Sequence, residues 1–189
     1  MTRPPFPPPS ADDIRAVSRQ LGRPARGVIG IASRCVCGAP VVVATAPRLN
    51  DGTPFPTLYY LSLPAATAAI STLEATGVMT EFTTLLAADP KLRDHYRRAH
   101  ESYLSDRNSI DTVEELDGIS AGGMPDRVKC LHSLAAHALA AGPGTNPIGD
   151  LTLERSAWSP GVCACAAVEQ AAEQDAGQAA EQVAGQDAG

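Results

Sequence analysis

A chain of 189 residues, 44% of them hydrophobic, is long enough for one domain with a buried core and short for two. No apolar run approaches the ~18 residues of a membrane span, and the opening MTRPPFPPPS lacks the basic-then-apolar layout of a secretory signal, so the expected compartment is the cytoplasm. The formal charge is −6, but Ala166–Gly189 carries five acids and no base; the remaining 16 acids against 15 bases leave no basic excess to drive nucleic-acid binding.

Residues 1–10 hold five prolines, which remove backbone donors and fix φ, and are expected to form a disordered or polyproline-like arm. Ser10 then caps a helix over Ala11–Leu21, where Ile14, Val17 and Leu21 share a face and Gly22 and Pro24 stop it. Two β-branched runs, 27–32 and 40–45, predict a hairpin whose turn carries Cys35 and Cys37. The loop 47–56 is dense in turn formers and is a rigid corner or, through Phe55, the lining of a pocket. Residues 57–63 supply a third strand.

Prolines then mark helix starts: Pro64 opens a helix to Gly77, a second covers Val78–Ala88, and Pro90 begins a third. Leu92, Tyr96, Ala99 and Tyr103 form the inward stripe of that third helix; His95 and His100 are five apart, diverge, and are read as part of a solvated face. Ser109–Gly118 is acidic and short, and Gly118–Gly123 reads as a hinge. Pro125 and Asp126 suit a helix start, giving a helix from Pro125 to Ala141 ended by Gly142-Pro143-Gly144. On such a helix Cys130 and His137 share a face about 10.5 Å apart, whereas His132 lies roughly 160° away from Cys130. Asp150 is available to cap a short helix through Leu153. Beyond 165, AAEQDAGQ recurs as AAEQVAGQ, a low-complexity acidic tail expected to be disordered.

Five cysteines in a chain read as cytoplasmic point away from structural disulfides and toward metal binding, reactive chemistry or plain burial. Zinc takes four ligands in a tetrahedron and stabilises thiolates, so the predicted ligand set is Cys35, Cys37, Cys130 and Cys163, with Cys165, His132 and His137 as alternates. An iron–sulfur cluster would use the same thiolates. A nucleophilic reading would join Cys130 to a histidine and Asp150, but the helical angles disfavour it.

The strings Arg34-Cys35-x-Cys37-Gly, Asp51-Gly-Thr-Pro-Phe-Pro-Thr57, Leu73-Glu74-Ala-x-Gly77, Arg127-Val-Lys-Cys-Leu-His132 with His137, and Asn146-Pro-x-Gly149 resemble the bacterial family known as domain of unknown function 501 over about residues 14–165. The resemblance implies a shared fold and site without a reaction.

The resulting expectation is a single α+β domain over 11–165, flanked by the arm (1–10) and the tail (166–189). A small, mainly antiparallel three-stranded sheet is covered by several helices. The expected function is a zinc-thiolate protein, structural rather than catalytic. The alternatives are a cysteine- or metal-dependent hydrolase of a small substrate and a metal-free interaction module.

Overall fold

The computed structural model describes residues 3–165, so the acidic repeat over 166–189 lies outside the described residues. It is the expected α+β arrangement: α1 (Ala11–Leu21), β1 (Val28–Arg34), β2 (Pro40–Thr45), β3 (Tyr59–Leu61), α2 (Pro64–Ala75), α3 (Val78–Ala88), α4 (Pro90–Asn108), a 3-10 turn (Glu114–Leu116), α5 (Leu131–Ala141) and α6 (Pro147–Arg155). The sheet order is β1-β2-β3, antiparallel throughout, with Ile31 opposite Val43 and Val43 opposite Tyr60.

Every residue of β2 is buried because the sheet is covered on both faces. On one face Val17 of α1 packs on Ile31 and Val43. On the other, Val42, Ala44, Tyr59 and Leu61 meet the main core, where α5 brings Leu131, Leu134 and Ala135. The α1 start matches its sequence logic: the Ser10 side chain accepts from Asp13 N–H, and the Asp13 carboxylate returns to Ser10 N–H at 3.0 Å. Helix α5 lies tight against α6 at Gly149, where an added Cβ would overlap the Leu134 carbonyl oxygen and stand 2.8 Å from Ala138 Cβ.

Within residues 3–10, Arg3 and Phe6 contact the domain. Phe6 lies on Gly30, where a Cβ would come within 2.9 Å of Phe6 Cγ, and meets Tyr59 edge-on with ring centroids 6.3 Å apart. Arg3 Nε donates to Asp106 Oδ1 at 2.9 Å, and the same carboxylate accepts from Tyr59 Oη at 2.9 Å. His95 and His100 also have partners: His95 Nε2 contacts Gly144 O at 2.7 Å and His100 Nδ1 contacts Ser120 Oγ at 2.8 Å.

The largest departure from the sequence reading is where α5 begins. It starts at Leu131, not Pro125. Gly122 and Gly123 adopt φ of +70° and +93°, and the chain between them and Lys129 closes on itself through Lys129 N–H to Gly122 O at 2.7 Å and Arg127 N–H to Gly123 O at 3.1 Å. Cys130 is therefore the extended residue before the helix, at φ −153° and ψ 109°. The final helix, by contrast, starts earlier than expected, with Asn146 Oδ1 accepting from Gly149 N–H at 3.0 Å, while Asp150 Oδ2 accepts from Gly144 N–H at 2.8 Å.

Candidate metal centre

The β1–β2 turn is short and tightly bonded. Cys35 N–H donates to Ala39 O at 2.9 Å, Gly38 N–H returns to Cys35 O at 2.8 Å, and Gly38 supplies the φ of +91° that closes it. Arg34 braces it from outside, donating to Asp13 Oδ1 at 2.7 Å and to Gly38 O at 3.0 Å. After α6 the chain returns past the nearly buried Trp158 to this turn, where Val36 N–H donates to Pro160 O at 3.0 Å. That return delivers a second Cys-x-Cys to the first. The sulfurs of Cys35, Cys37, Cys163 and Cys165 all lie within 4.8 Å of one another, and Cys37 and Cys165 are 3.6 Å apart.

The four thiols differ in environment. Cys35 is buried, Cys37 and Cys163 are exposed, and Cys165 is intermediate; all are unpaired. A hydrogen bond from the Ala39 backbone, helped by the neighbouring thiols, lowers Cys37 to about 7. Burial pushes Cys35 up. Cys165 is driven well up by burial and by donating toward its neighbours. Without a cation, then, Cys37 gives up its proton most readily, while burial, with bonds to neighbouring sulfurs, keeps the proton on Cys165 and raises Cys35.

Cys130 and His132 stand elsewhere and together. Because Cys130 precedes α5 instead of lying on it, the 160° separation of a continuous helix does not apply. Its sulfur groups with a His132 ring nitrogen and a Glu74 carboxylate oxygen, all within 4.8 Å, and all three residues are partly exposed. Glu74 reaches over from α2: its Oε1 accepts Leu131 N–H at 2.6 Å and lies 3.1 Å from His132 Nδ1. His132 Nε2 turns the other way, to Thr67 O at 3.1 Å and Ser71 Oγ at 3.2 Å. Ser133 Oγ donates to Cys130 Sγ at 3.6 Å. Burial raises the Cys130 thiol, but hydrogen bonds from His132 and Ser133 outweigh it and leave the thiol below its ordinary value. Bonding to the Cys130 sulfur lifts His132 to about 9, against its burial and with the Glu74 charge assisting.

His137 joins neither group. It is fully buried on α5, stacked on Tyr59 at 5.7 Å between centroids and edge-on to Tyr103 at 5.2 Å. The Asn146 amide donates to its Nδ1 at 3.2 Å, and Nε2 has no partner among the described residues. Asp150, paired with Cys130 in the nucleophilic reading, is engaged by Gly144 instead. Phe55 of the 47–56 loop lines a cleft of about 180 Å³ with Val28, Tyr60, Arg23 and Arg26, away from both cysteine groups. Sequence reasoning did not single out Glu74; its only prior mark was its place in the Leu73-Glu74-Ala-x-Gly77 string.

A scan against family models matches residues 31–154 to the family described as protein of unknown function (DUF501). The chain belongs to that family. The DUF501 match includes Cys35, Cys37, Glu74, Cys130 and His132; Cys163 and Cys165 follow its last residue. The chain matches no curated protein and no solved structure. No helix among the described residues is long and apolar enough to cross a membrane.

Proposed function

We propose that Cys35, Cys37, Cys163 and Cys165 hold one zinc ion in a closed structural site that ties the end of the folded chain to the β1–β2 turn. The observation that carries this reading is the convergence of four sulfurs from two Cys-x-Cys segments that are far apart in sequence. Zinc–sulfur bonds of ~2.3 Å in a tetrahedron put sulfurs ~3.8 Å apart; Cys37 and Cys165 are 3.6 Å apart. A disulfide would need ~2.05 Å. The compact spacing favours a single ion over an iron–sulfur cluster, whose thiolates bind different irons and are spread accordingly.

The donor set fits the group. Four thiolates fill the coordination of zinc and leave no position for substrate, which makes the role structural. A divalent cation also supplies the charge needed to remove the protons that the crowded thiols otherwise retain. A thiolate site of this kind needs its cysteines kept reduced, which suits a reducing compartment such as the cytoplasm.

Cobalt titration of the full chain tests the reading. Native protein should develop the intense sulfur-to-metal charge-transfer and tetrahedral bands of a four-thiolate site, and Cys163→Ser/Cys165→Ser should lose them. A folded native chain that never develops those bands would instead favour the metal-free interaction module.

A further inference from the structure

The geometry points to a second, separate metal site at Glu74, Cys130 and His132, with three protein ligands and a coordination position open to solvent, suited to a divalent zinc-like cation. One sulfur, one imidazole nitrogen and one carboxylate oxygen lie within 4.8 Å of one another. That is a mixed donor set of the kind open zinc sites use. The His132 Nδ1 to Glu74 Oε1 separation of 3.1 Å is close to the ~3.3 Å edge expected when nitrogen and oxygen each stand ~2.0–2.1 Å from one tetrahedral ion.

The orientation of His132 separates this site from a nucleophile–base–acid triad. In a triad the two ring nitrogens serve opposite partners, one toward the nucleophile and the other toward the acid. Here Nδ1 is the nitrogen on the Glu74 side, while Nε2 is committed to the Thr67 carbonyl at 3.1 Å. A carbonyl only accepts, so Nε2 carries a hydrogen; a bound cation would displace the second proton, which His132 otherwise holds toward Glu74 and Cys130, and take up the Nδ1 lone pair. This is how ligating histidines are held: the far nitrogen donates to a backbone oxygen and fixes the tautomer.

The other two ligands have comparable supports. Leu131 N–H, the first amide of α5, holds Glu74 Oε1 at 2.6 Å, and Ser133 Oγ donates to Cys130 Sγ at 3.6 Å. A thiolate and a carboxylate together carry the charge that a divalent ion balances. All three side chains are partly exposed, so solvent or a small oxygen ligand can complete the coordination, unlike the four-thiolate centre.

Cadmium-113 NMR of the full chain, loaded with two equivalents of cadmium, reads the two sites separately. The expected spectrum has a strongly downfield resonance from the four thiolates and a second, well upfield of it, from one sulfur with nitrogen and oxygen. Cys130→Ser and His132→Gln should each remove the upfield resonance and leave the downfield one, which also reports that the variant is folded. An upfield resonance that survives in both variants overturns the proposal, as does a native spectrum without it. Rapid iodoacetamide alkylation of Cys130, unchanged by cadmium, also overturns it in favour of a reactive thiol. An upfield resonance with no downfield partner upholds this site while sinking the four-thiolate reading.

Discussion

His137 should make the fold acid-sensitive, and its replacement by Phe should remove that component. The imidazole is fully buried between Tyr59 and Tyr103, and burial, reinforced by the Arg3 charge, depresses it to about 3. An unfolded histidine titrates near ~6.5. With the folded value below the unfolded one, the unfolded chain takes up the proton first. The stabilisation is therefore complete above the unfolded value and is lost as pH falls toward 3. For one such proton the loss approaches ~1.4 kcal/mol per pH unit, or about 2 kcal/mol between pH 7.5 and 5. His137→Phe keeps an aromatic ring in the stack but leaves the Asn146 amide only the weak Met124 Sδ acceptor at 3.6 Å, which costs roughly 1–3 kcal/mol at every pH. Urea midpoints of both proteins should be compared from pH 7.5 to 5, above the range where most carboxylates titrate. His100, also lowered by burial, and the thiol centres contribute equally to both curves and cancel in the difference. Wild type should lose about 2 kcal/mol more than the variant over this range. Parallel curves would refute the reasoning, because they would mean that the buried ring takes up no fewer protons than in the unfolded chain.

Two further substitutions test the packing that positions the sites. Gly149→Ala should destabilise the fold by about 1–3 kcal/mol or more, because the new methyl meets the Leu134 carbonyl where α5 and α6 touch; an unchanged thermal midpoint would contradict this. Asp106→Ala should cost about 1–3 kcal/mol by leaving the buried Tyr59 hydroxyl without its acceptor, and should release the arm that Arg3 anchors. Limited proteolysis reads the second effect: cleavage within residues 3–10 should accelerate, and equal rates would show that the Arg3–Asp106 contact does not hold the arm.

Most of the architecture is legible in the sequence because its cues are local. Proline at the first turn marks the starts at Pro64 and Pro90, Ser10 and Asp13 mark α1, and β-branched runs mark β1 and β2. The start of α5 is not legible, since Pro125 and Asp126 offer a good helix start that loses to the turn built on Gly122 and Gly123. That one boundary decides the chemistry around Cys130. As a helical residue it would face away from His132; as the extended residue before the helix it faces His132 and Glu74. Glu74 itself is unremarkable on its own helix and gains meaning only from the approach of α2 to the start of α5. Similarly, the two Cys-x-Cys segments suggest thiol chemistry, but only the path past Trp158 to Val36 determines that they meet each other and not Cys130. Long-range convergence of this kind leaves no spacing rule in the chain.

The most direct measurement of the four-thiolate centre is zinc-edge X-ray absorption on the Glu74→Gln/Cys130→Ser chain carrying one equivalent of zinc. These substitutions leave all four clustered cysteines in place while disabling the other group. A single shell of four sulfurs at ~2.3 Å is expected. A shell containing nitrogen or oxygen, or a folded chain that retains no zinc, would contradict it.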